Sequence, residues 1–180
     1  MRSLQANDMK AYETLYLKYK DPLFNYFLVN TKSKTLAEEQ LQDLFLRLYE
    51  KKDSFKYQSK FSTWLWTMAR NQFIDHTRLS ETKLEDSSDS VADDSLNELE
   101  AELEAADEMM IKKTEDRQVN LCVNELKASQ REVLTLRIYS ELGYDEIAAL
   151  CSMTLSSVKS LLVRAKEKIL ECLRKGHVHE

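Results

Sequence analysis

Apolar positions recur at three- and four-residue intervals through most of the chain, the spacing of amphipathic helices. Met9, Tyr12, Leu15, Tyr16 and Tyr19 mark a first helix, and Pro22 is expected to begin the next turn or helix, with Leu23, Tyr26 and Phe27 apolar. A third runs through LAEEQLQDLFLRLYEKK, where Leu41, Leu44, Phe45 and Leu48 fall on one face. The fourth is Phe61–Arg78 (FSTWLWTMARNQFIDHTR), with Leu65, Met68, Ala69 and Phe73 inward and Ser62 placed to cap its start. Trp64, Trp66, Arg70, Asn71 and Arg78 are left for its edge or outside.

The second half repeats the period. VNLCVNELK predicts one helix, and SQREVLTLRIYSE another, opened by a Ser129–Glu132 capping box. YDEIAALCS is short, with Ile147, Ala148 and Leu150 apolar. After a break at Cys151–Met153, a long basic helix has Val158, Leu162, Ala165 and Ile169 inside. Its outer face carries Ser156, Ser157, Lys159, Ser160, Arg164, Lys166 and Lys168. Short helix, tight break and long helix suit either a helix-turn-helix, with hydroxyls and cations facing bases and phosphates, or a plain three-helix bundle.

Composition narrows the class. Two Gly and one Pro leave little for sheets or tight turns, so the chain reads as all-α. No apolar run reaches the ~18 residues of a membrane span, and the N-terminus lacks the apolar core of a signal peptide. A cytoplasmic protein without membrane insertion is expected. Cys122, Cys151 and Cys172 have no metal-like spacing and lie in apolar helical patterns, so they are expected as small buried hydrophobes. His76, His177 and His179 are too scattered for a ligand set. There is no Gly-rich phosphate loop and no nucleophile set, which argues against an enzyme and against a cofactor or metal.

Net charge is −5, but it is polarised. Between Ser80 and Met110 twelve acids face one cation, Lys83, and the remainder is net positive. The segment divides the chain into a helical domain over 5–79, an acidic linker over 80–114 and a second helical domain over 115–175. The linker begins with polar ETKLEDSSDSVADDS and continues with LNELEAELEAADEMMIKK, whose strong helix formers suit a short helix.

One stretch joins aromatic to cationic residues. In DSFKYQSKFS, Phe55, Tyr57 and Phe61 alternate with Lys56 and Lys60. Rings beside cations suit an unstacked nucleotide, which needs a surface to stack on and a charge for its phosphate. The same residues also suit a polar loop beside an ordinary core helix.

AEEQLQDLFLRLYE, FSTWLWTMARNQFIDHTR and SQREVLTLRIYSELGYDEIAALCSMTLSSVKSLLVRAKEKI, in that order around an acidic linker, resemble the bacterial sigma-70 superfamily. The resemblance is to its small two-domain extracytoplasmic-function (group IV) sigma factors, over nearly the whole chain. It implies a factor that directs promoter recognition, DNA melting and transcription initiation. The first block is similar to the region 2.2 helix, which docks on the β′ clamp of core RNA polymerase. By that correspondence Leu41, Gln42, Asp43, Leu46 and Arg47 are the contacts, although Asp43 and Arg47 also suit an i,i+4 ion pair. The second block is similar to regions 2.3–2.4, which capture a flipped base of the −10 element. Tyr57, Lys60, Phe61, Trp64, Asn71 and Arg78 are then the DNA-binding residues, with Trp64 equally suited to filling the core. The third is similar to region 4, which reads the −35 element and touches the β flap. Ser156, Ser157, Lys159, Ser160 and Arg164 fall at its DNA-facing positions.

Region 4 departs from the family pattern. Ser152 stands at the turn where Gly is common, and Leu161 stands where the family has Arg. Arg makes bidentate contacts to bases or phosphates and Leu makes none. Weak −35 reading, with recruitment assisted by another protein or an RNA-guided complex, is therefore expected. An anti-sigma factor is an expected partner. The alternative is a polymerase-binding or anti-sigma-like adaptor that does not itself read DNA. The acidic linker is expected either to thread toward the polymerase interior, as in the family, or to act as a solvated tether.

Overall fold

Asp8 and Ser33 set the first two long helices, each by closing a helix start with its own side chain. Asp8 accepts from the Lys10 N–H at 2.9 Å, and Ser33 Oγ accepts from the Leu36 N–H at 3.3 Å. The computed structural model describes the backbone of residues 1–85 and 118–176 and the side chains of residues 1–78 and 118–175. The elements are α1 (Arg2–Gln5), α2 (Met9–Thr31), α3 (Lys34–Glu50), a short 3-10 turn (Lys52–Ser54) and α4 (Phe61–Glu85). After these come α5 (118–124), α6 (Ala128–Tyr139), α7 (Tyr144–Cys151) and α8 (Leu155–Gly176). All regular secondary structure among the described residues is helical, in two bundles, α1–α4 and α5–α8. The acidic stretch and its expected helix lie outside the described residues.

Pro22 does not begin a helix. It lies inside α2, which continues unbroken for 23 residues. A mid-helix proline costs a backbone hydrogen bond. Here Leu23, Tyr26 and Phe27, each with no exposed surface, hold the next turn in the core. In α3, Leu44, Phe45 and Leu48 are buried and Leu41 is half-buried. Gln40 and Gln72 join α3 to α4 in the interior. Gln72 Nε2 donates to the Gln40 carbonyl at 2.6 Å and to Gln40 Oε1 at 3.0 Å.

Helix α4 begins at Phe61, so Ser62 lies within its first turn rather than capping it. Leu65 and Ala69 are buried, while Met68 and Phe73 are half-buried against the core. Trp66, expected at an edge, is 1% exposed and meets the Tyr26 ring edge-on at 5.4 Å. The cause is tertiary. The second bundle packs on α2 and α4, so one apolar cluster runs from Leu4 through Tyr26 and Trp66 to Val133, Ile147 and Val158. A helix covered on more than one side has no outer position for that indole.

The expected Ser129–Glu132 box is not formed. The cap of α6 is Lys127, two residues earlier, and Gln130 Oε1 accepts from the Lys127 N–H at 3.2 Å. Glu132 is drawn instead to Arg70 on α4, at 2.8 Å.

Two of the three cysteines are not simple buried hydrophobes. Cys122 and Cys172, 50 positions apart, form a disulfide that ties α5 to the end of α8, with Cα atoms 5.7 Å apart. Only the packing of α5 on α8 brings them together, so their spacing carried no sign of it. Cys151 is free and buried, as expected. Cys172→Ser is expected to cost the oxidised protein about 2–4 kcal/mol. The readout is a melting temperature that falls in the variant without reductant and does not fall further when dithiothreitol is added. Parent protein that melts identically with and without dithiothreitol would contradict this.

Candidate nucleic-acid and polymerase interface

The aromatic loop is built around Phe55. Its ring is 5% exposed and lies 4.9 Å from that of Tyr57, 5.4 Å from Trp64 and 5.9 Å from Phe61. Phe61 also meets Tyr19 of α2 at 5.7 Å. Phe61 and Trp64 are therefore half-buried wall, and Tyr57, at 48% exposed, is the ring most open to solvent. Tyr57 holds a left-handed backbone, φ 58°. Non-glycine residues reach that region at a cost of roughly 1–2 kcal/mol.

From the loop, α4 continues as a set of stripes. Residues seven apart lie on one side of a helix, about 10 Å along it. Trp64, Asn71 and Arg78 form one such stripe, with Asn71 and Arg78 exposed. Thr63, Arg70 and Thr77 form the adjacent one, and it faces the second bundle. Thr63 Oγ1 donates to Glu146 Oε1 at 3.1 Å, and Arg70 Nε donates to Glu132 Oε1 at 2.8 Å. Thr77 lines a cleft with Asn30, Phe73, Ser129 and Arg131.

Lys60, the cation at the head of α4, is engaged by the second bundle, 3.2 Å from Glu146 Oε1. The Gly143 N–H also donates to the Glu146 carboxylate at 3.0 Å. That backbone donor first, and then Lys60 and Thr63, hold the Glu146 carboxyl below its ordinary range. Arg70 and Glu132 are each 14% exposed. Burial lowers the Arg70 pKa, but the Glu132 carboxylate outweighs it and the net shift is upward. Beside them burial pushes the Cys151 thiol up to about 11, so it is not a thiolate at neutral pH. The Tyr26 hydroxyl is buried there with no hydrogen-bond partner among the described residues, and burial pushes its pKa well up.

On α3 the opposite face is open. Gln42, Asp43, Leu46 and Arg47 are exposed, Leu46 at 61%, while Leu41 sits half-buried at the margin. Asp43 and Arg47 form no ion pair with each other among the described residues. An exposed leucine between free charged groups is a surface that can still bury area against a partner. Tyr16 extends it from α2, 4.8 Å from Phe45 and 39% exposed.

Helices α7 and α8 meet at 102°, with Ser152 in the left-handed region at the break. This angle and a short turn define a helix-turn-helix. Thr154 Oγ1 accepts from the Ser157 N–H at 3.1 Å and lies 2.8 Å from Ser157 Oγ. Thr154 thus caps α8, and the Ser157 hydroxyl is engaged by the Thr154 hydroxyl. Ser156, Lys159, Ser160 and Arg164 are exposed along the same helix. Leu161 is half-buried and packs against the core, and Lys168 donates to the Glu125 carbonyl at 2.6 Å. Sequence reading missed Arg137, an exposed cation 5.1 Å above the Tyr144 ring at the start of α7. The signal was available in the cation-aromatic pair on either side of a short loop. Among the described residues no group of His, Cys, Asp or Glu could hold a metal ion, and no single helix is long and apolar enough to cross a membrane.

Residues 15–81 match the family described as Sigma-70 region 2, and residues 116–169 match Sigma-70, region 4. The chain is 30% identical over 166 residues to the ECF RNA polymerase sigma factor SigM of Bacillus subtilis, covering 91% of this chain and 96% of that one. It is 26% identical to the ECF RNA polymerase sigma-E factor of Escherichia coli K12 over 92% of this chain and 88% of that one. Among solved structures it is similar to the sigma factor RpoE in complex with the anti-sigma factor NepR from Bartonella quintana. There the TM-score is 0.70 at 26% identity, with 92% of this chain and 98% of that one covered. CnrH in complex with the cytosolic domain of CnrY shares the fold, with a TM-score of 0.68 at 17% identity over 97% of this chain and 94% of that one. The chain belongs to the extracytoplasmic-function sigma factors of the sigma-70 family, which direct promoter recognition and transcription initiation.

Proposed function

We propose that the three sets of exposed side chains divide the work of initiation. Leu41, Gln42, Asp43, Leu46 and Arg47 dock on the β′ clamp of core polymerase. Tyr57, Lys60, Phe61 and the Trp64–Asn71–Arg78 stripe capture the non-template strand of the −10 element. Ser156, Lys159, Ser160 and Arg164 hold the upstream duplex, close to the β flap. The observation that carries this reading is the stripe on α4, half-buried at Trp64, exposed at Asn71 and Arg78, and headed by an aromatic loop. Flipping a base costs a few kcal/mol of stacking, and an aromatic platform returns about 1–3 kcal/mol per base. The corresponding domains are residues 5–79 and 115–175, joined by the acidic linker 80–114.

The two reading surfaces adjoin in the folded chain, where Glu146 of the helix-turn-helix touches Lys60 and Thr63. On a promoter they serve elements about 25 base pairs apart, roughly 85 Å of B-DNA. Both cannot be read from the closed arrangement, so binding core polymerase and DNA separates the halves and frees Lys60. An anti-sigma factor is a fitting partner of the closed state, given the similar sigma factor RpoE whose structure was solved with one.

Region 4 positions more than it specifies. Leu161 packs inward, the Ser157 hydroxyl is taken by Thr154, and Lys159 and Arg164 suit phosphates.

Two double variants separate docking from strand capture. Asp43→Ala with Arg47→Ala is expected to weaken core binding about tenfold or more and to leave helical content unchanged. Tyr57→Ala with Phe61→Ala is expected to leave core binding intact and slow open-complex formation, with partial rescue on a pre-melted bubble. Normal core binding by the first or normal melting by the second would remove that assignment.

Transcription with factor and core polymerase alone tests region 4. Scrambling the upstream element is expected to change activity little, while raising salt lowers it steeply. An accessory tether, a protein or a guide-bearing complex, then supplies location. A loss of about 1–3 kcal/mol per changed base pair would mean ordinary −35 reading instead.

A further inference from the structure

The aromatic loop, built around Phe55, has a second support from outside its own segment. It is pinned from 50 residues upstream by one carboxamide, that of Gln5. Its Nε2 donates to the Lys52 carbonyl at 2.8 Å and to the Phe55 carbonyl at 3.1 Å. Its Oε1 accepts from the Tyr57 hydroxyl at 2.6 Å. Two carbonyl partners require the NH2 end and a hydroxyl suits the oxygen, so the amide orientation is fixed by its neighbours. Gln5 itself is held in place because Leu4, one residue before it, is fully buried in the core, and Arg2 lies 5.6 Å over the Tyr57 ring.

The consequence falls on Tyr57. Its left-handed backbone is disfavoured for a tyrosine and persists only where the surroundings impose it. The surroundings here are Phe55, packed against one side of its ring, and Gln5, which grips the phenol and the two carbonyls before it. Without Gln5 both carbonyls lose a donor, the phenol loses its acceptor, and the loop relaxes toward extended backbone. A ring that must meet an unstacked base then pays an ordering cost at the moment of binding.

We propose that Gln5 is a positioning residue for strand capture, presetting Tyr57 and the Lys52–Tyr57 backbone for the non-template strand. The inference rests on the reading of this loop as the −10 element's captor, and it adds the N-terminal helix α1 to the recognition machinery.

The test uses holoenzyme reconstituted from full-length factor and core polymerase. The probe is a short single-stranded DNA selected by that holoenzyme from a random pool. Gln5→Ala is expected to lower affinity for this strand about tenfold, with core binding and melting temperature unchanged. Gln5→Glu keeps the acceptor for Tyr57 but loses both donations, and is expected to fall between Gln5→Ala and the parent. In a Tyr57→Ala background, Gln5→Ala should have no further effect on strand affinity, whereas a general loss of stability would act equally in both backgrounds. Unchanged strand affinity in Gln5→Ala, or the same loss with and without Tyr57, overturns the inference while the loop reading stands. Normal strand binding by the Tyr57→Ala, Phe61→Ala variant overturns the loop reading, and this inference with it.

Discussion

The ion pair between Arg70 and Glu132 sets the arrangement of the two bundles. Both groups are largely buried, so each is tolerable there only while the other is present. Removing one partner leaves an uncompensated charge in the interior. Separating the bundles as a unit is different, because both groups regain water and their mutual attraction is exchanged for hydration. Such a pair fixes the geometry of the contact, beside an apolar cluster that also spans the two bundles.

Helix α4 is where fold and function meet. One side supplies Leu65 and Ala69 to the core of its own bundle, and a second supplies Thr63 and Arg70 to the other bundle. A third leaves Asn71 and Arg78 exposed. The second and third sides are neighbours, so whatever seats the helix-turn-helix on α4 also stands beside the proposed DNA stripe. Glu146 illustrates the competition, placing a carboxylate on Lys60 where a phosphate is proposed to lie.

Much of this was legible in the sequence. The helical period placed α3, α4, α7 and α8 and most of their inward positions, because apolar spacing on a single face is a local property. The exposed set Gln42, Asp43, Leu46 and Arg47 followed from the same count. Features that depend on contacts between distant segments were not legible. Trp66 is buried by packing beyond its own helix, and Glu132 left its expected cap for Arg70 on the other bundle. Cys122 and Cys172 meet only through packing, and Gln5 reaches the aromatic loop across half of the first bundle. Pro22 was misplaced for a related reason, since the buried residues just after it keep the helix intact against its local preference.

Reading both promoter elements requires the halves to part when the factor works. Energy transfer between fluorophores on exposed Glu13 of α2 and Glu167 of α8 reports their separation directly. The free factor should show one population of high transfer, and the transcribing holoenzyme on promoter DNA should show that population replaced by low transfer. High transfer retained in a complex that is actively making RNA would contradict the account, because the two reading surfaces would then be working side by side.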